Sequence, residues 1–415
     1  MIRADVMILG AGFAGLGAAL ALNAKGGRVV IVDRRGAAEE TSFGNAGLIQ
    51  AEAAVPYAFP RRLPTLLGAL LDRRADARLH LTRLPHTARF LIAYAAHSGA
   101  SAVDRTARAN IPLLAHAIRD HRALADAAGA LALWRDGGYL RLQRSARAMA
   151  AAVAESESAR ARYGVPYAVW DAARLAAEEP HLAQTLAGAI HHPTPARISD
   201  PGALGKAYAA LFEARGGRLA TGDAQTLSQQ VGGFTVQTTD GAVAARECVI
   251  ALGPWSGALL ARFGVRIPLG IKRGYHMHYA PADGARLHNL VVDEANGTVL
   301  GPNARGIRLT TGAEFAPLDA PHTPVQVDRA ERAARSLFPL GPRLDPQAWR
   351  GARPCLPDLL PMVGPVPAVA GLWAHFGHQH LGLTLGPTTG RLLAQIMTAD
   401  VPFTDPSPYR VDRFS

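Results

Sequence analysis

The tightest constraint on this chain lies at its start, where the apolar run of residues 4–9 leads directly into Gly10-Ala-Gly12-Phe-Ala-Gly15. Residues 16–25 are small and apolar with helical composition, Gly26-Gly27 ends them, and residues 28–32 form a second apolar run closing on Asp33. Strand, glycine turn, helix, strand and acid in that order predict a parallel βαβ unit. In such a unit Gly10 makes the tight turn, Gly12 lets the backbone approach a pyrophosphate, and Gly15 lets helix and strand pack closely. The helix start offers unpaired N–H groups and a partial positive charge to the phosphates. Asp33, 18 residues beyond Gly15, stands where a carboxylate accepts hydrogen bonds from ribose hydroxyls. A glycine motif alone is weak evidence, and its flanking strands, helix and acid are what make this a dinucleotide site. FAD and NAD both remain open on these residues.

With 415 residues the chain has room for two or three domains and a sizeable core. Apolar residues at 49% and charged residues at 19% exclude a disordered, collagen-like or disulfide-stapled chain. The net charge of +11 comes from 44 basic residues, of which only Lys25, Lys206 and Lys272 are lysine. The arginines are spread along the whole sequence without interleaved aromatics, which argues against a nucleic-acid partner. Residues 1–22 have the apolarity of a signal peptide, but Gly10, Gly12, Gly15 and Gly17 interrupt them, so they are read as folded protein. Cys248 and Cys355, far apart and the only cysteines, predict a reducing, cytoplasmic setting without a disulfide framework.

The stretch Glu40-Thr-Ser-Phe-Gly-Asn-Ala-Gly-Leu-Ile49 favours FAD, because small and hydroxyl residues can thread along a long cofactor toward its isoalloxazine. With these residues the sequence resembles the FAD-dependent dehydrogenases and oxidases of the D-amino-acid oxidase and glycine oxidase superfamily. It looks most like the bacterial D-amino-acid dehydrogenase branch, which commonly shows TSxxNAG at this point. The resemblance covers most of the chain. It returns in Val249-Ile-Ala-Leu-Gly-Pro-Trp-Ser256, Lys272-Arg-Gly-Tyr-His276, Gly351-Ala-Arg-Pro-Cys-Leu-Pro-Asp358 and Gly377-His-Gln-His-Leu-Gly-Leu-Thr384.

It implies an α/β architecture: a Rossmann-like FAD-binding domain, a parallel sheet with helices, interleaved with a mixed α+β substrate domain carrying an antiparallel sheet. The first would take residues 1–60, 186–262 and 345–415, and the second residues 61–185 and 263–344. Strands are expected at 139–143, 233–239, 242–252, 274–279, 290–293, 306–311 and 371–376. Helices are expected at 172–179, at 201–216 capped by Asp200, and at 383–398, and much of 61–185 is helical in composition.

The same resemblance implies non-covalent FAD held by Gly10, Gly12, Phe13, Ala14, Gly15, Asp33 and Arg34 at the first βαβ unit. Thr41, Ser42, Asn45, Ala46, Gly47, Leu48, Gly253 and Trp255 would follow along the cofactor, with Gly377, Leu381, Gly382, Leu383 and Thr384 at the flavin's pyrimidine edge. Helix N–H donors aimed at that edge favour reduction. Arg353 matches an arginine that grips the substrate carboxylate, a task for which a planar guanidinium is suited. His378 matches a family histidine, and His380 stands where some relatives put a cation near the flavin. Tyr275 and His276 lie on a strand that lines the substrate cavity in relatives. Each of these four residues also has an ordinary packing role open to it. Cys355 is only three residues before Asp358, closer than the cysteine tethers of some amine oxidases, and is read as a buried thiol. The pairs His191, His192 and His276, His278 lack a companion ligand, so no metal is expected.

The implied reaction is oxidative deamination of a D-amino acid or cyclic D-imino acid by hydride transfer from Cα to flavin N5, with electrons passed to quinone or a partner protein. An oxygen-using glycine or sarcosine type of amine oxidase stands as one alternative, and the flavin subunit of a multi-subunit imino-acid dehydrogenase as another. In residues 61–74, Leu63, Leu66, Leu67, Leu70 and Leu71 recur at helical spacing between arginine pairs. Such a helix suits peripheral contact with the inner face of the cell membrane, or equally a core-facing role.

Overall fold

The structure is a computed structural model that describes residues 1–60, 68, 77–282 and 284–414. The membrane-facing or core-facing helix expected at 61–74 lies outside the described residues apart from Gly68.

Short β-branched runs form the first layer. Ile2–Leu9 pairs in parallel with Val29–Asp33 on one side and Gly241–Ile250 on the other. Val29–Asp33 pairs in parallel with the start of Arg218–Gln230, and Gly241–Ile250 with Leu372–Phe376. Met362–Pro365 closes the edge of this seven-stranded sheet antiparallel to Leu372–Phe376. Alternate residues of Ile2–Leu9 serve opposite faces: Val6 and Ile8 join one buried apolar cluster, Met7 and Leu9 the other. The side-chain period of two thus buries both faces of one strand.

Two helices stack tightly on one of these faces. Phe13–Asn23 and Gly382–Met397 meet at Gly17, Gly386 and Gly390, where a Cβ on Gly17 would lie 2.4 Å from the Gly386 oxygen. The small residues let the helix backbones touch, which ties the last helix of the chain to the first.

The second layer is an eleven-stranded sheet centred on Gly270–Pro281. That strand runs antiparallel to Gly306–Thr310, Ala313–Phe315, Leu340–Arg343 and Trp349–Cys355. The expected antiparallel sheet is present, with parallel pairs where Leu290–Asp293 meets Tyr139–Gln143 and Ala313–Phe315 meets Ala77–Leu79. Two stretches expected on the cofactor side pair here instead: Gly188–His192 with Tyr139–Gln143, and Trp349–Cys355 with Gly270–Pro281. Apolar alternation identifies a strand but not the sheet it joins. Among the described residues no helix is long and apolar enough to cross a membrane.

Candidate active site

In an open α/β sheet, ligands collect beyond the C-terminal ends of the parallel strands. Here Leu9 leads to Gly10, Val29–Asp33 ends on its carboxylate, Ile250 leads toward Gly253, and Phe376 leads to Gly377. These ends border a cavity of about 930 Å³ whose opposite wall is the second sheet.

At one end of the cavity, Gly10 holds φ +108°, and a Cβ there would sit 2.5 Å from the Ala251 carbonyl oxygen. A Cβ on Gly15 would fall 1.9 Å from the Gly10 oxygen. The turn and the close packing both require glycine. Gly12 caps Phe13–Asn23 without a side-chain acceptor, while the Phe13 N–H donates to Ser42 Oγ at 3.3 Å. The Asp33 carboxylate accepts from the N–H groups of Ala11 at 2.9 Å, Arg35 at 2.8 Å and Gly36 at 3.1 Å, and so stands fixed on the cavity wall. Beside it Arg34 stacks 4.3 Å over the Trp255 ring and pairs with Glu40 at 2.6 Å. Gly253, at φ +55°, turns the chain into that wall.

The Thr41–Leu48 stretch runs along the middle of the cavity. Thr41 Oγ1 donates to the Ala352 carbonyl at 2.9 Å, and Asn45 Oδ1 accepts from the Gly47 N–H at 2.9 Å. Ala46 and Leu48 add apolar wall. Thr384, in the first turn of Gly382–Met397, accepts from the Gln50 N–H at 3.0 Å, fixing that helix start against Leu48–Ile49. The helix opens at Leu381 without a side-chain cap. Two uncapped helix starts thus border one long cavity, and the glycine cradle leaves room where a Cβ would block it. Both observations fit FAD, with its pyrophosphate at Gly12–Gly15 and its flavin edge at Gly382–Thr384.

At the other end the strand Gly270–Pro281 supplies the floor. Lys272 and Gly274 meet the cavity, and Arg353 stands directly opposite Lys272 in the antiparallel ladder. The Arg353 guanidinium leans over Gly274, where a Cβ would lie 2.6 Å from Nη2, and donates to the Gly312 carbonyl at 3.2 Å. Burial lowers the affinity of both cations for their protons, Lys272 being held also near Arg353. Lys272 Nζ sits 4.0 Å from the Tyr94 ring centroid.

Tyr275 lines the cavity, whereas His276 does not. The Tyr275 hydroxyl donates to Glu314 at 2.8 Å, within a buried network where Glu314 also pairs with Arg273 at 2.7 Å. His276 is buried away from the cavity wall, stacked 4.7 Å from Trp349, and burial pushes its pKa down to about 3. His380 is not the cation expected near the flavin. Burial first, then repulsion from Arg353 and Lys272, lowers it to about 3 and leaves it neutral, with Nε2 lacking a hydrogen-bond partner. His378 lines the cavity too, and burial lowers it to about 4. Thr389 gives its hydroxyl proton to the Leu385 carbonyl at 2.8 Å and therefore accepts from His378 Nε2 at 2.9 Å, fixing that tautomer. Cys355 is a buried thiol on the wall, its pKa raised by burial.

The cavity thus gathers Gly10, Gly12, Phe13, Ala14, Asp33, Arg34, Thr41, Ser42, Asn45, Ala46, Leu48, Gly253, Trp255, Tyr275, Arg353, Gly377, His378, His380, Gly382 and Leu383. Gly15, Gly47, Leu381 and Thr384 stand behind this wall as packing and turn residues. Lys272 and Tyr94 are wall residues that the sequence reading passed over. The available signal for Lys272 was its place in the Lys272-Arg-Gly-Tyr-His276 motif, next to the glycine that meets the cavity.

A family model described as FAD dependent oxidoreductase matches residues 5–396. The chain belongs to that family. This FAD dependent oxidoreductase is 31% identical over 418 residues to a protein named D-amino acid dehydrogenase from Cereibacter sphaeroides, covering 99% of this chain and 95% of the relative. It is 29% identical over 417 residues to a D-amino-acid oxidase from Bradyrhizobium diazoefficiens, covering 99% and 98%. Its fold matches a crystal structure of glycine oxidase from Geobacillus kaustophilus with TM-score 0.76 and 22% identity, over 100% of this chain and 99% of the other. FAD is its cofactor.

Proposed function

We propose that this oxidoreductase oxidises a D-amino acid, or a cyclic D-imino acid, at the bond between Cα and nitrogen. An acyclic product imine is then hydrolysed by water to a keto acid and ammonia. The observation that carries the reading is Arg353: a guanidinium on the cavity wall with no carboxylate partner among the described residues, poised over Gly274. Held bidentately there, a substrate carboxylate would orient its Cα toward the Gly377–Leu383 side of the cavity. FAD, when bound, supplies the hydride acceptor at its N5.

His378 and His380, lowered to about 4 and about 3 by burial, are poor bases, so the reaction needs no side-chain base only if the substrate nitrogen binds neutral. The choice of the D series follows from relatives named for D-amino acids. Relatives named dehydrogenases support an acceptor other than oxygen, and the reading assigns that role to quinone or a partner protein, which peripheral contact with the inner face of a membrane would serve. The relative named an oxidase supports a second reading, in which oxygen is the acceptor and hydrogen peroxide forms in step with substrate.

Arg353→Ala tests the carboxylate role. Loss of a buried charge-assisted pair lowers kcat/KM roughly 30- to 1,000-fold, chiefly through KM. Flavin content stays full, because Arg353 lies at the opposite end from the glycine cradle. Unchanged substrate affinity in this variant overturns the reading.

A further inference from the structure

Cross-strand neighbours of like charge are destabilising, and this chain builds such a pair into the floor of its substrate cavity. Lys272 and Arg353 are direct partners in the ladder between Gly270–Pro281 and Trp349–Cys355, and both line the cavity. Neither has a carboxylate partner among the described residues. Glu314, opposite the neighbouring Arg273, pairs with Arg273 at 2.7 Å and His80 at 2.5 Å, and Asp358, just beyond Trp349–Cys355, pairs with Arg413 at 2.7 Å. Two desolvated cations side by side call for anions that arrive with a ligand.

The two head groups diverge. Arg353 leans toward Gly274 and Gly312, whereas Lys272 turns to Tyr94, 4.0 Å from its ring centroid, and Phe315, 5.5 Å away. Phe315 stands opposite Lys272 itself, two residues along the strand from Gly274. Successive same-face positions are about 7 Å apart, so the cations mark two anion positions rather than one. The Gly274 and Gly351 positions, paired across the ladder, are covered by the Arg353 guanidinium and the Trp349 ring, for which only glycine leaves room.

We infer that the substrate is an amino or imino dicarboxylate of aspartate or glutamate size, with its α-carboxylate on Arg353 and its second carboxylate on Lys272. The inference rests on the amino-acid-oxidising reading above and narrows it to acidic substrates. Tyr94 backs the ammonium from behind, and the second carboxylate completes its surroundings from the cavity side.

The test compares D-aspartate, D-glutamate and iminodiacetate with D-alanine, D-valine and D-proline, by anaerobic reduction of the flavin-loaded protein, for native chain and Lys272→Met. The native protein is expected to prefer the dicarboxylates. Lys272→Met should lower their kcat/KM about 100-fold and shift preference toward the uncharged side chains, with its affinity for sulfite unchanged. Preference of the native protein for neutral amino acids over dicarboxylates overturns the inference while leaving amino-acid oxidation standing. So does an equal loss on all substrates together with weakened sulfite affinity, which would assign Lys272 to the flavin. No reduction by any amino acid overturns both.

Discussion

Of the Lys272–His276 stretch, Lys272, Gly274 and Tyr275 meet the cavity, and partners drawn from elsewhere in the chain decide what each side chain is free to do. Tyr275 and His276 carry the most chemistry in that stretch, yet the first bonds Glu314 and the second stacks on Trp349. Lys272, easily taken for one more dispersed cation, also faces the cavity and has no carboxylate partner among the described residues. The glycines at Gly10, Gly12 and Gly15 were legible because steric need is local, and Arg353 because its motif repeats a pattern seen in relatives. The charge of His380 was not legible, since it depends on burial and on Arg353 and Lys272 brought near from elsewhere in the chain. Glu52 is a further residue whose state only the fold reveals: burial raises its pKa to about 7, and Oε2 lacks a hydrogen-bond partner. A carboxyl raised in the folded state stabilises fully below its unfolded pKa and loses that contribution as pH rises through the folded value. The cost at alkaline pH is about 3 kcal/mol. Glu52→Gln is therefore expected to match the native protein near pH 5 and to exceed it at pH 8, as read from urea unfolding at each pH. Parallel pH profiles for the two would rule out a strongly raised Glu52.

At the scale of elements, short apolar runs made strands such as Leu290–Asp293 and Leu372–Phe376 readable, and Asp200 marked the start of Pro201–Ala214. Arg218–Gln230 escaped notice because its residues are largely exposed and polar, leaving little apolar alternation to read. Trp349–Cys355 escaped as a strand because Gly351 and Pro354 interrupt it, although it carries Arg353. The contact between Phe13–Asn23 and Gly382–Met397 joins the phosphate end of the cavity to the flavin end. Gly17→Ala inserts a Cβ 2.4 Å from the Gly386 oxygen and must push the helices apart. A loss of about 1–3 kcal/mol is expected, with weaker FAD retention because the start of the last helix moves. Unfolding followed alongside flavin fluorescence checks both, and a variant with native stability and full flavin would contradict the packing argument.

Across the whole molecule, neither sheet makes the site alone. The seven-stranded sheet brings the glycine cradle, Asp33 and the start of the last helix, and the eleven-stranded sheet brings Lys272, Gly274 and Arg353. Because the chain crosses between them repeatedly, motifs far apart in sequence converge on one cavity, an arrangement visible in sequence only through their shared resemblance. Which side chains shape the substrate end followed from the fold, since residues such as Tyr94 and Phe315 belong to no motif. The central claim is that this cavity orients a D-amino acid for oxidation at Cα. Its most direct test is anaerobic mixing of the flavin-loaded protein with matched D- and L-amino acids, followed by loss of the oxidised flavin absorbance. Bleaching by D-enantiomers and not by their L counterparts is the predicted result. Bleaching by L-enantiomers alone, or none by any D-amino acid in protein carrying a full complement of FAD, would contradict the account.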